Sequence, residues 1–174
     1  MAAASPARAQ DPRIGARFSA SDAARLTALI DSAGRENLPT DPLVLRALEG
    51  QAKSVPLDRI VDALDRLRDA LHTAQATLGP GASVPELTTA AAALQAGVPG
   101  TRLAELRQLR GGQPLTAPLG AYLDLVASGV STAQAWRTVT DLAKRRASDG
   151  DYVRLTNDAA GKRGHPPAGS GDME

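Results

Sequence analysis

The chain has 174 residues, a length that fits one domain whose core needs no disulfide or metal to hold it together. Its 20 basic and 19 acidic residues leave a formal charge of +1, and this balance excludes the strongly basic surface of a nucleic-acid-binding protein. The absence of cysteine excludes disulfides, thiolate catalysis and cysteine-ligated metals. Aromatic residues make up only 2%, so the core must consist of aliphatic side chains.

The first 17 residues are predicted to be a disordered segment. They contain Ala7-Arg8-Ala9 followed by a polar stretch, an A-x-A pattern typical of the end of a secretory signal peptide. We therefore expect a periplasmic or secreted protein, and a cytoplasmic protein with an alanine-rich tail is the alternative. No apolar run approaches the roughly 18 to 20 residues that span a bilayer, so no transmembrane segment is predicted.

Residues 18–158 are predicted to form one all-α domain. Apolar residues recur there every three or four positions, and no sustained alternation of the kind found in strands is present. The predicted helices cover residues 22–33, 42–52, 57–77, 85–96, 100–110, 117–127 and 131–146, with a short helix near 149–157. Residues 159–174 are rich in glycine, proline and charge, a composition typical of a disordered tail.

The stretch LVASGVSTAQAW, residues 125–136, predicts a corner between two helices. Gly129 can adopt the left-handed conformation that ends a helix, and Val130 can fold back on the last turn, as in a Schellman cap. Ser131 and Gln134 match a capping box, which begins the next helix. A corner this short predicts that the two helices lie side by side as an antiparallel hairpin.

Related patterns occur three times along the chain. The entries TDP at 40–42, SVP at 83–85 and TAP at 116–118 each place a hydroxyl residue two positions before a proline, where it can cap a helix. A corner valine follows 15, 15 and 14 positions later. The pattern predicts about three tandem hairpins, arranged as an α-solenoid-like array or an irregular helical bundle. Proline near helix starts and glycine after helix ends are common in any helix-rich chain, so chance is the alternative explanation for the similarity of the three patterns.

An acidic stripe lies on the helix predicted at 57–77, opposite its apolar face. Its members are Asp58, Asp62, Asp65 and Asp69. Such a stripe could hold a divalent cation, but calcium sites usually take their ligands from loops, and arginines flank the stripe at pairing distance. We interpret it as a solvated face and predict neither a metal site nor a cofactor.

Catalytic residues are scarce between the two tails. His72 is the one histidine there, and no serine or acid has a spacing that suggests a catalytic triad with it. Glu49, next to Gly50 near a predicted helix end, is interpreted as an exposed acid, and Glu86 as part of a capping box with Ser83. An enzyme or accessory subunit with a site near Glu49 and His72 is nevertheless one functional alternative.

Tyr122 and Trp136 are the candidate residues for binding a partner. They should face one another across the corner at Gly129 and pack in the core of that hairpin. An exposed aromatic pair would instead mark a groove for a protein partner.

The run LPTDPLVLRALEGQAKSVPLDRIVDAL, with AALQAGVP and LVASGV further along, resembles a group of uncharacterised exported bacterial all-helical proteins. Residues 38–155 carry the resemblance, which implies export and brings no catalytic or binding residue with it. From the residues themselves we expect a non-enzymatic binding or scaffolding domain with a protein partner. A homo-oligomeric structural protein, packed through alanine-rich helices such as residues 88–96, is a further alternative.

Overall fold

Residues 11–161 form nine α-helices and no strand in the computed structural model, which describes side chains through residue 158. The helices are α1 (Pro12–Gly15), α2 (Ala20–Arg35), α3 (Asp41–Ala52), α4 (Leu57–Leu78), α5 (Val84–Gln95), α6 (Gly100–Leu109), α7 (Thr116–Ala127), α8 (Thr132–Lys144) and α9 (Asp149–Gly161). The predicted all-α class is confirmed, and every predicted helix is present. Within these residues no helix has the length and apolar character needed to cross a membrane.

The amino-terminal segment differs from the prediction of disorder over residues 1–17. Helix α1 lies inside that segment, and the side chain of Asp11 caps it by accepting a hydrogen bond from the N–H of Arg13. Ile14 is fully buried and therefore holds this short helix against the core. The A-x-A pattern at 7–9 lies outside the described residues, as does all of the predicted tail except 159–161.

The helices divide into two compact units, with the boundary between Ala91 and Ala92. In the first unit α1 packs on α2 and α3, α2 packs on α4, and α3 packs on α4. In the second unit α7 packs on α8 and α9, and α6 packs on α8. The pairs α3–α4 and α7–α8 lie side by side, as two of the predicted hairpins require. The tandem array of three hairpins and the single domain over 18–158 stay predictions.

Each unit has its own aliphatic core. Fully buried side chains of the first unit are Ile14, Leu26, Leu43, Leu64 and Leu71. Those of the second unit are Leu103, Leu106, Leu115, Leu119 and Val139. Burying one such side chain contributes about 1.5 to 3 kcal/mol. Aliphatic side chains, leucine above all, therefore supply most of the hydrophobic stabilisation of this protein.

The corner after α7 has the predicted Schellman geometry. Gly129 has a φ of +88°, and the N–H groups of Gly129 and Val130 donate to carbonyls of the last turn of α7. The hydroxyl of Ser131 then accepts a hydrogen bond from the N–H of Gln134. The corner is therefore a joint between two helices, closed mainly by backbone hydrogen bonds.

The same backbone exit ends four other helices. In each, a residue with positive φ and the residue after it donate their N–H groups to carbonyls of the preceding turn. The residues with positive φ are Asn37, Ser54, Gly97 and Arg146. The corners at Ser54 and Gly97 were predicted from the valine and proline that follow them. The exits at Asn37 and Arg146 were missed because neither residue is a glycine.

Replacing Ser54 with glycine is expected to raise the free energy of unfolding by about 0.5 to 1 kcal/mol. Ser54 has a φ of +55°, a conformation that strains a residue with a Cβ atom and does not strain glycine. The gain is smaller than the strain because glycine loses more backbone entropy on folding. Urea unfolding followed by circular dichroism measures the change. Ser54→Ala is the control and should lack the gain, since alanine keeps the Cβ atom.

Two of the three predicted helix entries differ from the capping that the sequence suggested. The hydroxyl of Ser83 accepts a hydrogen bond from the N–H of Glu86, as predicted. Thr40 makes no capping hydrogen bond because its φ of −87° and ψ of −27° are nearly helical, whereas a cap residue usually takes an extended conformation. Thr116 is already the first residue of α7, so it does not occupy the capping position.

Candidate functional site

Tyr122 on α7 and Trp136 on α8 contact one another, as the sequence predicted. Their ring centroids lie 5.8 Å apart with an interplanar angle of 79°, a favourable edge-to-face arrangement. Both are buried, at 1% and 7% exposure, and the Tyr122 hydroxyl donates to the carbonyl of Ala96 at 3.2 Å. Burial raises the pKa of Tyr122. The pair therefore packs within the second unit and does not present the exposed aromatic surface that a partner groove would need.

Arg110, which follows α6, is a buried cation that the sequence analysis missed. Its side chain is 3% exposed, and it donates to the carbonyl of Ala147 at 2.8 Å and to the carboxylate of Asp149 at 2.5 Å. Its guanidinium carbon lies 5.4 Å from the ring centroid of Tyr152, a cation–π contact. Burial raises the pKa of Tyr152, and the arginine charge opposes that rise. Arg110 thus connects the end of α6 to the start of α9.

The acidic stripe of α4 lies on its exposed side, and three of its four aspartates are paired with arginines. Asp58 contacts Arg25 at 2.7 Å, and Arg68 lies 3.4 Å from Asp65 and 3.3 Å from Asp69. In the part of the chain that the structure describes, no group of three or more acidic or histidine side chains is placed to hold a metal ion. The ion pairs agree with the interpretation of the stripe as a solvated face.

Glu49 and His72 line different depressions of the first unit. The carboxylate of Glu49 accepts hydrogen bonds from Lys53 at 2.6 Å and from Arg46 at 2.9 Å, and these cations lower the pKa of Glu49. An acid with a lowered pKa stays ionised at neutral pH, which makes it a poor general acid and a weak base. His72 is exposed on α4. The geometry therefore does not assemble these two residues into one site.

A groove with an apolar floor lies at the corner between α3 and α4, and we call it the corner groove. It is lined by Arg46, Glu49, Gly50, Lys53, Val55, Arg59, Ile60 and Ala63. Its volume is about 130 Å³. Gly50, Ile60 and Ala63, which are buried or half-buried, form the floor. Val55 and the charged side chains are exposed and form the rim. The exit at Ser54 turns the chain so that the end of α3 and the start of α4 both contribute to it.

Gly50 allows α3 and α4 to approach closely beneath the corner groove. A Cβ atom added at Gly50 would lie 2.8 Å from Cγ1 and 3.0 Å from Cδ1 of Ile60, well inside normal van der Waals contact. Ile60 is buried and β-branched, so its side chain can move away only by leaving its preferred rotamer. In the sequence Gly50 is visible only as the neighbour of Glu49 near a helix end, because its contact with α4 is a tertiary feature.

A second depression adjoins the corner groove and shares Val55 and Ile60 with it. Its volume is about 320 Å³, and its other lining residues are Arg17, Phe18, Ser19, Asp22, Gln51, Ser54 and Leu57. Val55 is 37% exposed, and Phe18 and Leu57 are half-buried. This second depression is mostly polar, and its apolar contribution comes from Phe18, Leu57 and the two shared residues.

Three other depressions of the described residues are larger and more polar. One, of about 220 Å³, is lined by Asp11, Thr27, Ile30, Asp31, Gly34, Thr40 and Val44. A second, of about 440 Å³, is lined by Glu36, Arg68, Asp69, His72 and Thr73. Another, of about 370 Å³ in the second unit, is lined mainly by Gln108, Arg110, Gln113 and Arg146. The corner groove is the candidate functional site because it is the one of these depressions whose lining is more apolar than polar, and charged side chains surround it. Comparison with models of protein families, with curated proteins and with solved structures finds no match for this chain.

Proposed function

We propose that the protein is a non-enzymatic binding domain and that its corner groove receives an apolar side chain of a protein partner. The observation that supports this function is the apolar floor of the groove, with Val55 37% exposed beside it. A concave site with an apolar lining and a few polar groups around it is the usual form of a binding site. A volume of about 130 Å³ is well below the roughly 300 to 1,000 Å³ of small-molecule sites, so one side chain fits the groove better than a whole metabolite.

The enzymatic alternative has less support. A catalytic pocket usually contains two titratable groups whose pKa values are shifted toward the working pH. In the corner groove the pKa of Glu49 is shifted downward by Lys53 and Arg46, away from neutral pH. The titratable neighbours of Glu49 in the groove are basic residues that pair with it or extend to solvent. Such a rim is suited to recognition of a charged surface.

Replacing Ala63 with glutamate tests the proposed function. Ala63 is a half-buried position on α4 that lines the groove, and a glutamate there would fill it with a longer charged side chain while keeping good helix propensity. Capture of a partner on the immobilised protein, from an extract of the cells that make it, should fall by about tenfold or more, a change of about 1.4 kcal/mol.

Ala133→Glu is the matched control, since Ala133 is an exposed position in the first turn of α8 in the second unit. An acidic residue is favourable there because of the helix dipole, and capture should be unchanged. Thermal unfolding by circular dichroism establishes that both variants are folded. Equal capture by the wild type and both variants would contradict binding through the corner groove.

A further inference from the structure

We infer that the partner segment is acidic, with an apolar side chain for the floor of the corner groove and carboxylates that face its rim. This inference rests on the proposed function of the groove. It concerns the chemical class of the partner, which the apolar floor alone does not define.

The rim of the corner groove carries an excess of positive charge. Three cations and one carboxylate line it, which leaves two positive charges. Glu49, the one carboxylate, is shared between Arg46 at 2.9 Å and Lys53 at 2.6 Å. The single carboxylate therefore neutralises only one of the two positive charges, and both cations remain exposed to a partner.

Arg59 supplies the third positive charge of the rim. It is exposed on α4, and it makes no ion pair with the residues that the structure describes. Asp58, the residue before Arg59, forms its ion pair with Arg25, at 2.7 Å. The adjoining depression adds Arg17 and Asp22, one charge of each sign, and leaves the excess unchanged.

The positive charge is local to the groove, because the whole chain has a formal charge of only +1. Attraction by the protein as a whole is therefore weak, and selection of an acidic partner depends on short-range contacts at the rim. Exposed ion pairs of this kind contribute little individually, but complementary charge accelerates association and disfavours basic partners. Such selection weakens as salt screens the charges.

Three synthetic peptides test the inference on the full chain. Each has about 15 residues, long enough to form a helix when bound, with leucines repeated along one face. The remaining positions are mostly glutamate in one peptide, glutamine in the second and lysine in the third. Fluorescence anisotropy of the labelled peptides should show binding of the glutamate peptide about tenfold tighter than that of the glutamine peptide, with the lysine peptide weakest. Raising the salt concentration to about 0.5 M should remove most of this preference.

Arg59→Glu should weaken binding of the glutamate peptide by about fivefold or more and have little effect on the glutamine peptide. Arg137→Glu is the matched control, since it makes the same charge change at an exposed position on α8 of the second unit and should alter binding by less than about twofold. Circular dichroism of both variants verifies folding.

Two results overturn the inference. If the glutamine or lysine peptide binds as tightly as the glutamate peptide, and Ala63→Glu abolishes that binding, the groove is a binding site but its partner is not acidic. If none of the peptides binds, the acidic class also fails, and the capture experiment with Ala63→Glu decides the proposed function separately.

Discussion

Replacing Gly50 with alanine is expected to lower the free energy of unfolding by about 1 to 2 kcal/mol, although alanine is the better helix former. The added Cβ atom would lie 2.8 Å from Cγ1 of Ile60, which is buried at the contact between α3 and α4. One of the two helices must move, and the overpacking outweighs the gain of about 1 kcal/mol in helix propensity. Urea unfolding followed by circular dichroism measures the difference.

Gly120 provides the matched control, because it also lies inside a helix and an added Cβ atom would have no heavy atom of the surroundings within 4 Å. Gly120→Ala should raise the free energy of unfolding by about 0.5 to 1 kcal/mol. In an Ile60→Ala background, which removes both clashing atoms, Gly50→Ala should also become neutral or stabilising. A destabilisation by Gly50→Ala that persists in that background would show that the contact with Ile60 is not its cause.

Replacing Asp149 with alanine is expected to lower the free energy of unfolding by about 2 to 3 kcal/mol, a large effect for a side chain that is 59% exposed. The reason lies in its partner, because Arg110 is 3% exposed and would lose its counter-ion while remaining buried. The expected value is below that for a fully buried pair, since solvent screens the exposed carboxylate.

A double-mutant cycle separates this effect from other roles of Asp149. Arg110→Met should cost about 1 to 2 kcal/mol, because it removes the buried charge together with its hydrogen bonds. In that background Asp149→Ala should cost less than about 0.5 kcal/mol. Asp141→Ala, which removes an exposed partner of Lys144, is the control and should also cost less than about 0.5 kcal/mol. If Asp149→Ala costs the same in both backgrounds, Asp149 does not stabilise the protein through Arg110. It then acts only through its favourable interaction with the helix dipole in the first turn of α9.

The helices could be predicted from the sequence because their signals are local. Apolar periodicity predicted the helical segments, and Gly129 with Ser131 predicted the joint between α7 and α8. The contact between Tyr122 and Trp136 followed from that joint, because both residues lie close to it along the chain. The paired helices α3 and α4 followed in the same way from the corner at Ser54.

The corner groove could not be predicted, because its floor depends on a contact between separate helices. From the sequence, Gly50 is recognisable only as a weak helix former. Nothing in the local pattern indicates that the side chain of Ile60 packs directly against it. Glu49 was interpreted as an exposed acid, and only the structure places Arg46 and Lys53 on its carboxylate. Spacing of three and four residues allowed those pairs but did not require them.

Arg110 was missed for a related reason. An arginine next to a helix end is usually exposed, where it interacts favourably with the helix dipole. Its partners Ala147 and Asp149 lie 37 and 39 positions further along the chain, so no local pattern connects them. The burial of this cation depends on contacts with residues at the start of α9, which only the folded second unit brings to it.

The position of Trp136 determines what fluorescence can report about unfolding. It is the single tryptophan of the chain, and it is buried against Tyr122 in the second unit. Its emission therefore monitors the second unit, while circular dichroism monitors the helices of both. Coincident curves from the two signals would indicate one cooperative transition, and separate curves would indicate independent melting of the unit that carries the corner groove. If the curves separate, the emission of this one indole should shift with a mutation at Asp149 and stay unchanged with one at Gly50.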